Sequence, residues 1–97
     1  MKIEVKLFSA KWCGPCKIYK PMIRKLMEKR LDGVEFEEYD ATEDETILKD
    51  LGVIGVPTLV IFNDGIEVDR IINAVRKSEA IDKLQQWGAL SDQQSIS

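Results

Sequence analysis

The sequence contains no histidine and only two cysteines among its 97 residues. A structural zinc site needs four nitrogen or sulfur ligands, so a single chain of this composition cannot complete one. We therefore predict no metal site and no cofactor. Two cysteines also fall short of the several disulfides that normally stabilise small secreted scaffolds.

The sequence also lacks an excess of basic residues and a long apolar run. Its 14 Lys and Arg residues are outnumbered by 17 Asp and Glu residues, which gives a net charge of −3 and no basic surface for nucleic acid. No stretch is long enough to span a bilayer. Residues 1–10 alternate apolar and charged side chains, unlike a signal peptide. We expect a monomeric, cytoplasmic protein that binds neither nucleic acid nor membrane.

The two cysteines stand three positions apart, where an apolar run gives way to a helical pattern. A thiolate at a helix N-terminus is stabilised by free N–H groups and the helix dipole, so Cys13 is the expected nucleophile. Gly14 permits a tight bend, and Pro15 is tolerated because the first turn does not use its N–H. The spacing favours a redox-active dithiol over two alternatives, a structural disulfide and a zinc site shared between two chains.

Apolar periodicity predicts seven elements in the order βαβαββα. The predicted elements are a strand at 3–8, a helix from Cys13 to about Leu31, a strand at 34–39, a short helix opened by a capping box at 42–45, a buried strand at 58–62, a hairpin turn at 63–65 into an antiparallel strand at 66–72, and a helix capped by Ser78 and closed by Gly88. The first helix should face the core with Ile18, Met22, Ile23, Leu26 and Met27. This order predicts an α/β fold with a four-stranded mixed sheet and three helices. We expect one domain at 1–90 and a disordered tail at 91–97.

Three separated motifs resemble those of the thioredoxin family. Residues 12–17, Trp-Cys-Gly-Pro-Cys-Lys, resemble its signature, and residues 55–58, Gly-Val-Pro-Thr, resemble the segment that carries its cis-proline. Pro21 matches the family's helix-kinking proline. The resemblance extends from about Ile3 to about Gly88. It implies a thioredoxin-like fold without the usual N-terminal strand and helix, since the chain begins too late for either.

The resemblance implies a protein disulfide reductase, an enzyme that exchanges a dithiol for a disulfide. Cys13 would attack the partner's disulfide, and Cys16, the more buried thiol, would resolve the mixed disulfide. Trp12, Gly14 and Pro15 would shape the motif, and Pro57 would be cis beside it. The residues implied to bind the partner are Trp12, Gly55, Val56, Pro57, Asn73 and Ala74. Implied partners are disulfide-containing proteins and a thioredoxin reductase or an equivalent electron donor.

Four residues depart from the family pattern. Leu7 replaces a buried aspartate, and Glu38 aligns with a nearby lysine, so the usual proton acceptor for the resolving thiol is absent. We hypothesise that water, or Glu38 through a water, accepts the Cys16 proton. Ser9 replaces a tryptophan and is expected to make the rim of the site smaller and more polar. Asn73 stands where a glycine is usual.

Two other functions remain open from sequence alone. A glutathione-dependent, glutaredoxin-like oxidoreductase would more often carry Pro-Tyr between its cysteines and would need basic residues for glutathione, of which Lys11 is the obvious one beside the motif. A noncatalytic thioredoxin-fold subunit of a larger assembly is disfavoured by the intact cysteine pair.

Overall fold

The computed structural model describes residues 2–42, 46–73 and 76–91. The elements follow the predicted order and are β1 (Ile3–Ser9), α1 (Cys16–Met27), β2 (Glu35–Asp40), α2 (Thr46–Asp50), β3 (Thr58–Asn63), β4 (Ile66–Ile72) and α3 (Lys77–Gln86). The predicted fold class, a four-stranded mixed sheet with three helices, is confirmed.

The sheet has the strand order β2-β1-β3-β4. β1 pairs in parallel with β2, as predicted for strands joined by a crossover helix, and pairs antiparallel with β3. β3 and β4 form the predicted hairpin, in which Asp64 and Gly65 both have positive φ, 53° and 84°. Two consecutive residues of this conformation form the turn that suits the twist of a hairpin. The antiparallel pairing of β1 with β3 places these two strands side by side in the centre of the sheet.

The two faces of the sheet have separate cores. On one face, Val5, Leu7 and Leu59 pack in a cluster that includes side chains of α1 and α3. On the other face, Phe8 and Val60 pack with residues of α2 and the segment after it. β3 is buried on both faces, as its continuous apolar sequence predicts. Residue 7 therefore lies deep in the core, on the face covered by α1.

Helix α1 is shorter than predicted and has a different buried face. It begins at Cys16, because Cys13 and Gly14 lie in the preceding turn, and it ends at Met27 instead of near Leu31. The side chain of Ile18 is 78% exposed, so its predicted core position is wrong. The buried stripe follows Cys16, Tyr19 and Ile23 at helical spacing, and Ile18 lies off that stripe. Pro21 lies inside the helix, as predicted.

Two further boundaries differ from the predictions. Val34 is buried but precedes β2. The last helix begins at Lys77 with Arg76 in extended conformation at its N-cap, so the prediction that Ser78 caps it is wrong. Three predictions fall wholly or partly outside the described residues, namely the acidic part of the capping box (43–45), the role of Ala74, and the tail beyond Ser91.

None of the helices in the described ranges combines the length and apolar character that crossing a bilayer requires.

Candidate active site

The turn between β1 and α1 brings the two cysteines together. The N–H of Cys13 donates to the carbonyl of Ala10 at 3.1 Å, which closes the turn after β1. The Cys13 and Cys16 sulfurs are joined in a disulfide, with their Cα atoms 5.3 Å apart. Gly14 does not have a left-handed φ, and a Cβ on it would meet nothing within 4 Å. The backbone of this oxidised form therefore does not by itself require glycine there.

The start of α1 supplies a hydrogen-bond donor to the first sulfur. The backbone N–H of Cys16, the first residue of the helix, donates to Cys13 Sγ at 3.2 Å. The same N–H would stabilise a Cys13 thiolate after reduction, together with the positive end of the helix dipole. The two side chains are almost equally buried, Cys13 at 4% and Cys16 at 3% exposure. Burial therefore does not separate their roles in the oxidised form.

The segment before β3 forms the wall beside Cys13. The Val56–Pro57 peptide bond is cis, as the resemblance implies, and Pro57 is buried. The carbonyl oxygen of Val56 lies 3.7 Å from Cys13 Sγ. Thr58 holds the 55–57 segment in place, because its hydroxyl donates to the Gly55 carbonyl at 2.7 Å. A backbone carbonyl is thus held at the first sulfur.

Asn73 has the backbone conformation that favours glycine, which explains how it can replace one. Its φ is 67°, in the left-handed region that asparagine tolerates better than most residues. Its Oδ1 lies 3.5 Å from the place a Cβ on Gly55 would occupy. The exposed amide therefore covers Gly55 beside the cis-proline segment. Ala74, also predicted here, lies outside the described residues.

Two large apolar side chains next to the motifs are exposed. Trp12 is 66% exposed and precedes the first cysteine. Ile54 is 85% exposed and lies two residues before Val56. Sequence reasoning missed Ile54 because it reads as part of an apolar run leading into a buried strand. We call Trp12, Ile54, Gly55, Val56, Pro57 and Asn73 the Cys13 flank.

Asn73 is the one departing residue in the Cys13 flank, and the other three, Leu7, Glu38 and Ser9, lie elsewhere. Leu7 is fully buried in the main core. The Glu38 carboxylate accepts two hydrogen bonds from Arg24 Nε, at 2.7 and 2.9 Å, and lies 4.0 Å from Lys20 Nζ. Ser9 is 2% exposed, so the prediction that it makes the rim of the site more polar is wrong. It ends β1, where its carbonyl accepts the Ala41 N–H, and the strand pairing buries it.

On the side of the disulfide lined by Cys16, the surface opens into a cavity of about 260 Å³. We call it the Cys16 cavity, and it is lined by Ala10, Lys11, Cys16, Lys17 and Lys20. From sequence alone, the lysines of α1 would ordinarily be interpreted as a solvated face of the helix without a role. The missed signal is that Lys20 follows Cys16 by four residues and so lies on the same side of the helix.

Three carboxylates on the sheet surface are close enough together to be considered as ligands for a cation. Oxygens of Glu4, Glu35 and Glu37 lie within 4.8 Å of one another on the β1–β2 surface. Glu35 is also paired with Lys2 at 3.2 Å. Exposed acidic groups often lie this close without an ion, so we assign no metal to them.

Comparison with known proteins agrees with this geometry. The family model described as Thioredoxin matches residues 2–86. Thioredoxin-2, mitochondrial, from Schizosaccharomyces pombe is 41% identical over 73 residues, which are 75% of this chain and 54% of that protein. Thioredoxin 1 from Synechococcus elongatus is 34% identical over 71 residues, 73% of this chain and 66% of that protein. The matches thus span no more than about two thirds of these relatives.

Solved structures of similar proteins share the fold. A mutant thioredoxin from Halobacterium salinarum superposes with a TM-score of 0.79 at 29% identity, over 92% of this chain and 77% of that one. The oxidised mitochondrial thioredoxin 3 from Saccharomyces cerevisiae gives a TM-score of 0.77 at 32% identity, over 88% and 78%. The family match covers most of the sequence, and the disulfide at the start of α1 and the cis-proline wall lie within it. The chain belongs to the thioredoxin family.

Proposed function

We propose that the protein is a thioredoxin-type protein disulfide reductase that works through Cys13 and Cys16. The observation that carries the proposal is the pair of sulfurs joined at the N-terminus of α1, with the Cys16 N–H directed at Cys13 Sγ. A donor at this position favours the thiolate, which is the attacking species in disulfide exchange.

In the first step, the Cys13 thiolate attacks one sulfur of a disulfide in the partner. A bond forms between Cys13 and that sulfur, the partner's S–S bond breaks, and the partner's other sulfur leaves as a thiolate. The leaving thiolate takes a proton from water. The product is a mixed disulfide through Cys13.

In the second step, the Cys16 thiol loses its proton and the thiolate attacks Cys13 Sγ. The Cys13–Cys16 bond forms, the bond between Cys13 and the partner breaks, and the partner sulfur that Cys13 had attacked leaves as a thiolate and takes a proton from water. The partner has gained two electrons, and the protein has lost two. A thioredoxin reductase or an equivalent dithiol donor must then return the protein to the reduced form.

The Cys13 flank is the proposed surface for the partner. Val56 offers backbone groups next to Cys13, so an extended partner segment can add there by backbone hydrogen bonds. Trp12 and Ile54 offer exposed apolar area for its side chains. Asn73 would contribute an amide, and Ala74 is assigned to the same surface by resemblance alone. Backbone recognition of this kind tolerates many partner sequences.

We also propose that the protein acts as a monomer in a reducing compartment, the cytoplasm. A reducing compartment keeps thiols free, and a lone cysteine pair there is more often catalytic than structural. The Schizosaccharomyces pombe relative is named as mitochondrial, so the mitochondrion is the alternative to be tested by localisation.

Insulin reduction by dithiothreitol tests the proposed function. The wild-type protein should accelerate the appearance of turbidity, whereas Cys13→Ser should leave the rate at that of dithiothreitol alone. An inactive wild type would contradict the proposal and support a noncatalytic role. Faster turnover with glutathione than with a thioredoxin reductase would support the glutaredoxin-like alternative instead.

A further inference from the structure

The resolving thiol must lose a proton, and the interior formed by the described residues contains no carboxylate to accept it. Among the residues of 2–42, 46–73 and 76–91, no carboxylate is buried. Position 7, where the resemblance leads one to expect an aspartate, is a fully buried leucine. The cluster in which Cys16 is buried contains Ala10 and Cys13, with Val56 packed against it. The buried side of Cys16 therefore offers no acceptor in the described part of the chain.

Two titratable groups on α1 and β2, Tyr19 and Asp40, are poor bases. Burial raises the pKa of the Tyr19 phenol on α1, so Tyr19 stays protonated and is unable to accept a proton. Hydrogen bonds from Thr42, and then the charges of Lys11 and Lys20, lower the pKa of Asp40 on β2. A carboxylate with a lowered pKa is a weak proton acceptor.

Glu38, the other candidate proton acceptor, is already paired with two cations, Arg24 and Lys20. Its two carboxylate oxygens both accept hydrogen bonds from Arg24 Nε, and Lys20 Nζ lies 4.0 Å away. Moving a proton onto Glu38 would weaken this ion pair. Glu38 therefore serves to hold Arg24 and Lys20.

The side of Cys16 that faces the Cys16 cavity is surrounded by positive charge. The Cys16 cavity reaches the surface and is lined by three lysines, Lys11, Lys17 and Lys20. Lys20 lies one helical turn after Cys16, and side chains on a helix lean toward its N-terminus, so the Lys20 stem extends back toward Cys16. Lys11 enters from the β1–α1 turn, where its N–H donates to the Thr42 hydroxyl at 2.7 Å.

We propose that Lys20 stabilises the Cys16 thiolate across the Cys16 cavity, and that Cys16 releases its proton directly to the water that enters there. This inference rests on the proposed function and names the residue that supports its second step. Lys20 would replace a general base by an electrostatic effect, because a nearby cation favours the charged form of a thiol. Cys16 Sγ then attacks Cys13 Sγ, and no buried carboxylate takes part.

The charged groups around the Cys16 cavity can be changed one at a time. Its lining contains the cations Lys11, Lys17 and Lys20. Two carboxylates of β2 face these cations, Glu38 at 4.0 Å from Lys20 and Asp40, on which the charges of Lys11 and Lys20 act. Lys25, on the exposed surface of the same helix and outside the cavity lining, is a matched control. Lys25 carries the same charge as Lys20 and lies on the same helix, but it does not line the Cys16 cavity.

The experiment is a pH titration of the Cys16 thiol in a Cys13→Ser background, followed by ultraviolet thiolate absorbance or by the rate of alkylation. Adding Lys20→Gln should raise the Cys16 pKa by about 0.5. Lys20→Arg should restore the original value because it keeps the charge, and Lys25→Gln should leave it unchanged. Circular dichroism of each variant establishes that the fold is intact.

In the protein with both cysteines, Lys20→Gln should slow the decay of the mixed disulfide about threefold near neutral pH, with the deficit disappearing at high pH. An unchanged Cys16 pKa in Lys20→Gln, or an equal shift in Lys25→Gln, would overturn the proposal. The titration needs no turnover, so it can succeed or fail independently of the insulin assay that tests the proposed function.

Discussion

The two sides of the disulfide differ in how closely they follow the family pattern. On the Cys13 flank, the Val56–Pro57 bond is cis, as the resemblance implies, and the Val56 carbonyl oxygen lies 3.7 Å from Cys13 Sγ. On the Cys16 side, a cavity lined by lysines opens beside the sulfur, and Leu7, at the position where the resemblance implies a buried aspartate, is buried in the main core.

This difference reflects what each step of the chemistry demands. The first step needs a partner segment placed to within a hydrogen-bond length of Cys13, so the geometry of the Cys13 flank has few alternatives. The second step needs only that Cys16 become a thiolate, and a base, a cation or contact with water can each provide this. The Cys16 side is therefore free to vary.

The largest expected effect is that of restoring the family's aspartate at position 7. Leu7 is fully buried, and Leu7→Asp would place a carboxyl without a partner in the main core. We expect a loss of at least about 3 kcal/mol in the free energy of unfolding at pH 7, measured by urea denaturation.

The pH dependence of this loss has a definite sign. Burial would raise the carboxyl's folded-state pKa above its unfolded value of about 3.9, so the loss should grow as pH rises through 3.9 and beyond. Leu7→Asn introduces no titratable group. Its loss in free energy of unfolding, relative to the wild type, should therefore not change with pH over this range. A Leu7→Asp protein as stable as the wild type would mean that the core beside α1 already accommodates a charge, and the contrast between the two sides would be lost.

A smaller effect is expected on the Cys13 flank from Asn73→Gly. The φ of 67° suits glycine, so the change removes the side chain without straining the backbone. If the amide binds the partner's backbone, the KM for a disulfide peptide should rise about threefold with little change in kcat.

Asn73→Asp is the matched control because it keeps the size and tolerates the same φ while losing the amide donor. It should raise the KM as well. A KM that stays the same or falls in Asn73→Gly would show that the side chain only covers Gly55 and does not contact the partner.

The smallest effect is expected from Glu38→Gln, and its sign separates two accounts of the Cys16 proton. If Lys20 is the supporting group, removal of the nearby negative charge should lower the Cys16 pKa slightly. If Glu38 accepts the proton through a water, the second step should slow instead. Glu37→Gln, a change of the same charge at the neighbouring position of β2, is the control for net charge.

Much of the fold could be predicted from sequence because it depends on local signals. The alternation in β1, the continuous apolar run of β3 and the Asp64-Gly65 turn each specify an element and its neighbour. The boundaries were less predictable. The first turn of the expected helix is a bend closed by the Cys13 N–H, and the phase of α1 buries Tyr19 in place of Ile18.

The active site was predictable only where a motif names it. Cys13, Cys16 and Pro57 come from spacing and resemblance. The Cys16 cavity was not predictable, because it requires the β1–α1 turn to place Lys11 near Lys20, and a lysine on a helix ordinarily reads as a solvated residue. Ser9 was misplaced for a similar reason, since only the pairing of β1 shows that its end is covered.

Trapping the mixed disulfide tests the central claim most directly. Incubated with a peptide that contains a disulfide, reduced Cys16→Ser protein should accumulate a covalent adduct through Cys13, seen by mass spectrometry and released by dithiothreitol. Reduced Cys13→Ser protein should form little or none under the same conditions. An adduct that forms equally well through Cys16, or no adduct in either variant, would contradict the assignment of Cys13 as the attacking sulfur and Cys16 as the resolving one.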